Sequence, residues 1–208
     1  MFSFPKYFLI LFLFGGQIIF SQEVSIKGKA LVTENAVLLR WVPTDQTLLN
    51  YSIKYGYKIE RALVADSFSM PVFETVLNKA PIKPLASLDS LWNTLIKKNP
   101  AAALAKSILY QQVQNTKKGG EIGFGLFLLS CDLDVEIAKA CGFYFEDATI
   151  KNNEKYIYRI SFYDAPAQLK MYEEKIFVDA SKIPALSVIN NLSGKFSDKK
   201  ADLSWNVS

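Results

Sequence analysis

The chain has 208 residues, of which 50% are hydrophobic, and a net charge of +4 at pH 7. It contains no histidine and only two cysteines, Cys131 and Cys141. Composition therefore excludes catalytic triads with an imidazole base and nearly all zinc sites. The basic residues are spread in ones and twos, which gives no support to nucleic-acid or anionic-membrane binding.

The first 21 residues have the pattern of a cleavable secretory signal. Lys6 precedes an apolar run over residues 7–14, which is too short to span a bilayer because a transmembrane helix needs about 20 apolar residues. Small Ser21 precedes Gln22, so we expect cleavage between these two, with an uncleaved signal anchor as the alternative. The mature chain then has 187 residues, a charge of +3 and no transmembrane segment.

Three strands are predicted early in the mature chain, because apolar and polar residues alternate there with the period of a half-buried strand. In the second strand, Val37, Leu39 and Trp41 share a face and carry a large aromatic side chain into the core. In the third strand, Arg61 shares a face with Tyr57. The segments are residues 24–32, 36–43 and 57–64, and a polar connection over residues 44–50 precedes the third.

Residues 150–164 are predicted to form a polar turn followed by a strand with strict alternation. Tyr156, Tyr158 and Ile160 face one way, and the residues between them face the other. Ile150 stands six residues before Tyr156, so the tyrosine hydroxyl can reach back to the incoming backbone, as in the tyrosine corner of β-sandwiches. Another strand is predicted at residues 173–180.

These segments resemble a fibronectin type III domain. The motifs that carry the resemblance are Trp41 with Pro43, Tyr57 to Arg61, and Ile150 with Tyr156. The resemblance implies that these motifs lie on the second, third and sixth strands, with residues 173–180 as the last strand and Tyr156 as the corner tyrosine. It implies a mainly β fold, a fibronectin type III-like sandwich over residues 22–183.

Residues 65–149 depart from that family, and their pattern predicts an insertion of roughly four helices, so that the chain is α+β overall. The first helix has Ser87 as its N-cap, and Pro100 opens the second, which residues 117–120 stop. The third covers residues 122–129, which are apolar on every side and therefore expected to be buried. The apolar stripe of the first helix consists of Leu88, Leu91, Trp92, Leu95 and Ile96.

The fourth helix is predicted from about Asp134 to Cys141, with Gly142 as its C′ residue. Cys131 and Cys141 lie in one helical pattern, which would separate them by about 15 Å. A disulfide needs Cα atoms within about 7 Å. We therefore expect two buried free thiols, with a disulfide as the alternative.

Residues 184–208 repeat the opening pattern of the mature chain. A loose strand and a polar turn at residues 197–200 precede a strand with Leu203 and Trp205 on one face. Because two strands leave an apolar face open, we expect this segment to begin a second, truncated fibronectin type III-like module of a longer protein.

Several residues form patterns that resemble chemical sites, and structural roles are preferred for all of them. Acids at 132, 134 and 136 alternate as in a calcium loop, but Ile137 and Phe143 occupy the positions of the required glycine and glutamate, so helix capping is preferred. A GGxxGxG pattern lacks the lysine and Ser/Thr pair of a phosphate cradle. The residues of these two patterns are Asp132, Asp134, Glu136, Gly119, Gly120, Gly123 and Gly125.

Two further groups bear on carbohydrate chemistry. Paired carboxylates for glycoside hydrolysis require two acids at a set separation, which nothing in the sequence establishes. Exposed aromatic rings are candidates for stacking on sugars, although Trp92 is expected in the core. The acids are Glu60, Asp66, Glu173 and Glu174, and the aromatic residues are Trp92, Tyr110, Tyr144, Tyr163 and Tyr172.

The sequence therefore predicts a non-catalytic interaction or structural module, with no catalytic, cofactor or metal site and no identified ligand-binding residue. Its signal looks like those of Bacteroidota-type exported proteins, which implies secretion or the cell surface. The expected partners are other extracellular proteins or glycans. The alternative is an accessory, carbohydrate-binding domain of a secreted carbohydrate-active enzyme whose catalytic unit lies beyond Ser208.

Overall fold

The computed structural model describes residues 24–64, 71–110, 117–182, 189–197 and 200–207. The predicted signal and its cleavage site lie outside these residues. The strands of the two main sheets are β1 (Ile26–Val32), β2 (Val37–Pro43), β3 (Tyr57–Leu63), β4 (Thr75–Val76), β5 (Tyr144–Asp147), β6 (Lys155–Phe162) and β7 (Glu173–Asp179). The helices are α1 (Gln46–Tyr55), α2 (Leu91–Lys98), α3 (Ala101–Tyr110), α4 (Lys117–Leu133) and α5 (Val135–Ala140). The chain is thus an α+β protein, as predicted.

Two antiparallel sheets form the β part of the protein. One has the order β1-β2-β5 and the other has the order β4-β3-β6-β7. The alternation in the sequence determines which side chains face the core, since every second residue of β2 is buried and Tyr156, Tyr158 and Ile160 of β6 are buried. The third strand departs from strict alternation, because Glu60 and Ala62 are also buried.

A chain of aromatic rings joins both sheets and the helices in one core. Trp41 of β2 packs edge-on against Tyr57 of β3, with ring centroids 5.4 Å apart. Tyr57 also contacts Phe143, and Phe143 contacts Phe127 of α4, at 6.2 and 6.0 Å. Helix and sheet side chains therefore exclude water together, which is the main source of stability in such a core.

Tyr156 closes the turn before β6. The backbone N–H of Lys151 donates to its hydroxyl oxygen at 2.8 Å, and the hydroxyl donates to Glu154 Oε2 at 2.6 Å. Asn153 takes a left-handed conformation in this turn, with φ 73°. The predicted reach of this hydroxyl to the incoming backbone is confirmed.

Helix α1 replaces most of the polar connection that the sequence predicts between β2 and β3. Asp45 caps it, because its Oδ1 accepts a hydrogen bond from the Leu48 N–H at 2.8 Å, and Gly56 ends it with φ 72°. Leu48 and Leu49 are fully buried. The prediction is wrong because the cap and this leucine pair outweigh the polar composition of the segment.

Two predicted helix boundaries are also wrong. Helix α2 begins with Ser90 at its N-cap instead of Ser87, and Leu88 lies outside the helix with 95% of its surface exposed. Of the predicted apolar stripe, only Trp92 is fully buried. The predicted stop at residues 117–120 forms the first turn of α4.

Helix α4 is apolar on all sides but buried on one side only. Phe127 and Cys131 are fully buried, whereas the opposite side is half to mostly exposed. The expectation of burial all round is therefore wrong. Among the described helices, none combines the length and the apolar character needed to cross a bilayer. The exposed residues are Ile122, Leu126, Leu129 and Leu133.

The two cysteines are neighbours in space. Helix α4 ends at Leu133 and Asp134 caps α5, so the chain turns between them, and the pKa of the Cys141 thiol is raised by burial and then by the neighbouring Cys131. Both thiols are free and buried, as predicted. The expected separation of about 15 Å is wrong because the segment is not one continuous helix.

The last described elements are β8 (Ile189–Ser197) and β9 (Lys200–Val207), which pair as a separate antiparallel sheet. The pairing has an irregularity between Asn190 and Ser193. Two strands are thus present where the sequence predicts them. The assignment of this segment to a second module stays a prediction.

Candidate ligand-binding cavity

A cavity of about 430 Å³ lies between helix α4 and strands β1 and β2. This volume falls in the range of about 300–1,000 Å³ that is typical of small-molecule sites. Its lining consists of Lys27, Gly28, Lys29, Arg40, Trp41, Val42, Leu128, Leu129, Cys131, Asp132 and Phe143.

Strand register brings the cations of this cavity together. In the antiparallel pair β1–β2, Lys29 lies opposite Arg40 and Lys27 lies opposite Val42. Residues two apart on a strand share a face, so Lys27 and Lys29 line the same side of β1. The result is a group of three basic residues beside an apolar wall.

Helix α4 is tied to β1 by an ion pair at this cavity. Lys29 Nζ lies 2.5 Å from Asp132 Oδ1. This hydrogen bond, followed by the charges of Lys29 and Arg40, holds the pKa of Asp132 below its usual range. Asp132 therefore stays ionised at neutral pH and balances Lys29.

The guanidinium of Arg40 is held less tightly than the Lys29 ammonium. Its charge also helps to lower the pKa of Asp134, after the larger effect of a hydrogen bond from Asn99. Within the part of the chain that the structure describes, no hydrogen bond or ion pair of 4.0 Å or less involves the Arg40 guanidinium. Its donors are therefore available to a ligand.

Trp41 is among the lining residues, although its side chain lies on the opposite face of β2 from Arg40 and packs into the core against Tyr57. The side chain is 2% exposed, and its Nε1 has no hydrogen-bond partner among the described residues. A buried N–H without an acceptor is destabilising, so such groups usually have a structural or functional reason.

The buried charges elsewhere are paired within the protein. Arg61 Nη1 lies 2.6 Å from Asp147 Oδ2, and the Tyr158 hydroxyl donates to the same oxygen at 2.8 Å. Burial raises the pKa of Asp147, but hydrogen bonds from Thr149 and Tyr158 and the charge of Arg61 outweigh burial and hold it below its ordinary value. Because Arg61 is on β3 and Asp147 is on β5, this pair connects the two sheets.

A second charge cluster includes two of the acids considered for glycoside hydrolysis. Arg159 Nε lies 2.8 Å from Glu60 Oε2 and 4.0 Å from Glu173 Oε2, and Lys58 lies 3.2 Å from Glu60 Oε1. Burial raises the pKa of Glu60, but these cations outweigh burial and lower it. Glu60 is therefore ionised, and both acids have basic neighbours.

The remaining acids have structural partners or are not described. Glu174 Oε1 accepts a hydrogen bond from the Gly28 N–H at 3.1 Å, and Asp66 lies outside the described residues. Asp134 caps α5 through hydrogen bonds from Glu136 N and Ile137 N, and Glu136 lies in the first turn, which confirms the capping interpretation for these two acids but not for Asp132 near the end of α4. In the described ranges, no group of three or more His, Cys, Asp or Glu side chains is placed to hold a metal ion.

The glycines of the predicted pattern lie inside α4. A Cβ at Gly123 would be 3.5 Å from Ile108, and a Cβ at Gly125 would have no neighbour within 4 Å. Close packing thus applies to Gly123 and not to Gly125.

The candidate sugar-stacking aromatics are dispersed. Trp92 is fully buried, as predicted, and its Nε1 donates to the Ala86 carbonyl at 3.2 Å. Tyr110 donates to the Leu85 carbonyl, and burial raises its pKa to about 12. Among the described residues, no ring contact joins any two of the five. The hydroxyls of Tyr144 and Tyr163 donate to Glu146 and to the Lys79 carbonyl, and Tyr172 packs against the core.

The cavity has no sequence signature, because its residues come mainly from the β1–β2 pair and from α4, which lies far from these strands in the chain. Lys27, Arg40 and Leu128 carry no shared motif. A signal did exist for the inter-sheet ion pair, since Arg61 shares the inward face of β3 with Tyr57 and a buried cation requires a partner.

Comparison with protein-family models, with curated proteins and with solved structures finds no match for this chain. Its function is therefore inferred from the chain's own residues and geometry.

Proposed function

We propose that the chain is a non-catalytic interaction or structural module of a larger exported protein, located at the cell surface or in the medium. In this proposal, residues 22–183 form a fibronectin type III-like β-sandwich with a helical insertion over about residues 65–149. Residues 184–208 begin a second module of the same kind.

The observation that carries the proposal is the strand order. Constant-type immunoglobulin sandwiches place the first, second, fifth and fourth strands on one sheet and the third, sixth and seventh on the other. Here the orders are β1-β2-β5 and β4-β3-β6-β7, which differ only in pairing the fourth strand with the third. The hydrogen bonds of Tyr156 at the start of the sixth strand add support.

A binding role is favoured over catalysis by the way the charges are used. The buried acids Glu60 and Asp147 are each held by an arginine. Such paired groups stabilise or connect strands, whereas a general acid or base needs a pKa tuned towards the working pH. The partners that we propose are other extracellular proteins or glycans, and the source is a Bacteroidota-type bacterium.

Export is tested by N-terminal sequencing of the protein recovered from the surface or medium of cells that express the full gene. The proposal predicts a chain that begins at Gln22. Recovery only from the cytoplasm, with Met1 or its immediate neighbours retained, would contradict it.

The coding sequence after Ser208 separates a structural module from the accessory-domain alternative. Further sandwich modules followed by a sorting domain support the proposal. A catalytic glycoside-active domain directly after the second module would replace it with the alternative.

A further inference from the structure

We propose that the exposed side of helix α4 is a dimer interface, where an apolar stripe pairs in antiparallel orientation with the same stripe of a second copy of this chain. The stripe consists of Ile122, Leu126, Leu129 and Leu133. This inference goes beyond the proposed function, which concerns other extracellular proteins or glycans.

The four side chains of the stripe leave much of their surface in water. They are 68%, 49%, 51% and 78% exposed, whereas Phe127 and Cys131 anchor the opposite side of α4 in the core. Together the four present about 500 Å² of apolar surface, in the upper part of the range of about 300–600 Å² for the largest patch on a typical monomer. Patches of this size often mark an interaction site.

The spacing of the stripe matches a helix as its partner. Successive members are separated by four, three and four positions, which is the a/d spacing of a coiled-coil seam. Such a seam is narrower than the apolar face that a helix turns towards a protein core. The stripe is therefore shaped to pack against one other helix.

The same spacing reads identically in both directions along α4, so the stripe is complementary to itself. In an antiparallel pair about a two-fold axis, Leu126 faces Leu129 of the second copy at both central contacts. At the two ends, Ile122 faces Leu133 of the second copy. Two-fold pairing is by far the commonest closed symmetry of homo-oligomers, and it requires a self-complementary patch.

The charges along this part of α4 are compatible with such pairing. Asp132 is the one charged residue within the sequence of residues 122–133. In the antiparallel arrangement it lies level with Gly123 and Gly125 of the second copy, so no like charge faces it. A helix that lies on a lipid surface typically has a polar face rich in lysine and arginine, and residues 122–133 contain neither.

The area of the stripe fits a reversible dimer. Pairing covers the stripe on both copies, about 1,000 Å² in total before the polar rim is counted, which reaches the roughly 1,000 Å² that a specific interface needs. Obligate dimers bury about 2,000 Å² or more. We therefore expect a monomer–dimer equilibrium that depends on protein concentration.

The test is sedimentation velocity from micromolar to millimolar concentration on the chain from Gln22 to Ser208, which retains every described residue. The wild type is expected to pass from monomer to dimer. Leu126→Glu and Leu129→Lys each place a charge against a leucine of the second copy, so each variant alone is expected to associate at least tenfold more weakly. Leu63→Glu is the matched control, because Leu63 is 55% exposed but lies on β3, and it should leave association unchanged.

An equimolar mixture of the two variants tests the antiparallel register. In a mixed pair, the glutamate introduced at position 126 meets the lysine introduced at position 129, and the remaining two leucines meet each other. The mixture is therefore expected to associate at least tenfold more tightly than either variant alone. If these variants do not fold, as judged by circular dichroism, Ile122→Glu and Leu133→Lys give the same pairing at the more exposed ends of the stripe.

The proposal is overturned if the wild type stays monomeric up to millimolar concentration, or if a folded Leu126→Glu variant dimerises as tightly as the wild type. A mixture that associates no more tightly than its components would overturn the antiparallel register. A monomeric wild type that binds phospholipid vesicles, and loses this binding in Leu126→Glu, would assign the stripe to a lipid surface instead.

Discussion

The Tyr156 hydroxyl makes two hydrogen bonds. It accepts one from the Lys151 N–H and donates the other to the Glu154 carboxylate. Tyr156→Phe removes both contacts and leaves a part-buried backbone N–H without its partner. We predict a loss of about 1 kcal/mol in the free energy of unfolding, measured by urea denaturation. Tyr51→Phe is the control, because the Tyr51 ring packs against Phe162 while its hydroxyl has no hydrogen bond to another described residue. Equal stability of Tyr156→Phe and the wild type would refute the role of this hydroxyl.

Asp147 is the residue on which the connection between the sheets depends most. Its carboxylate is 1% exposed and accepts hydrogen bonds from Arg61, Thr149 and Tyr158. Asp147→Asn leaves the Arg61 charge without its counterion, so we predict a loss of about 3 kcal/mol at neutral pH.

The same carboxylate gives a predicted pH dependence. Because its folded-state pKa lies below the ordinary value of 3.8, its contribution is fully present above that value and is lost as pH falls through the folded-state pKa. The stability difference between wild type and Asp147→Asn should therefore be large at about pH 7 and shrink strongly by about pH 2. Urea denaturation at both pH values measures this. A difference that does not vary with pH would contradict the assignment.

At the scale of elements, two glycines make a matched pair with opposite predicted effects. Gly142 ends α5 with φ 72°, and a Cβ there would lie 2.8 Å from the Lys83 backbone, whereas Gly125 in α4 has open space. Gly142→Ala should destabilise by more than about 1 kcal/mol, and Gly125→Ala should stabilise by about 0.5–1 kcal/mol. Thermal unfolding of both variants measures the two signs. A stable Gly142→Ala variant would show that the α5 end is placed differently.

The elements that could be predicted from sequence are those where local pattern and burial agree. Strand β6 is an example, because alternating Tyr156, Tyr158 and Ile160 all reach the core. Helix α1 was not predicted, since its signals are a single cap at Asp45 and one leucine pair. The predicted start of α2 is wrong because Ser87 and Ser90 are both plausible caps. The predicted stop at residues 117–120 is wrong because helix packing overrides the low helix propensity of Gly119 and Gly120.

At the scale of the whole molecule, the cavity could not be predicted because it depends on how α4 docks on β1. The Lys29–Asp132 pair between these two elements joins residues 103 positions apart. The proximity of Cys131 and Cys141 was missed for a related reason, since the turn at Asp134 breaks the helical spacing assumed between them. The cavity and the proximity of the two cysteines both depend on the tertiary arrangement, which residues throughout the chain determine together.

The helices and both sheets share one core, as the Trp41–Tyr57–Phe143–Phe127 contacts require. Native-state hydrogen exchange measures whether they open together. We predict that the most protected amides of α3 and α5 exchange with the same opening free energy as those of β2, β3 and β6. Rapid exchange of the α3 and α5 amides, while the strands keep full protection, would contradict it.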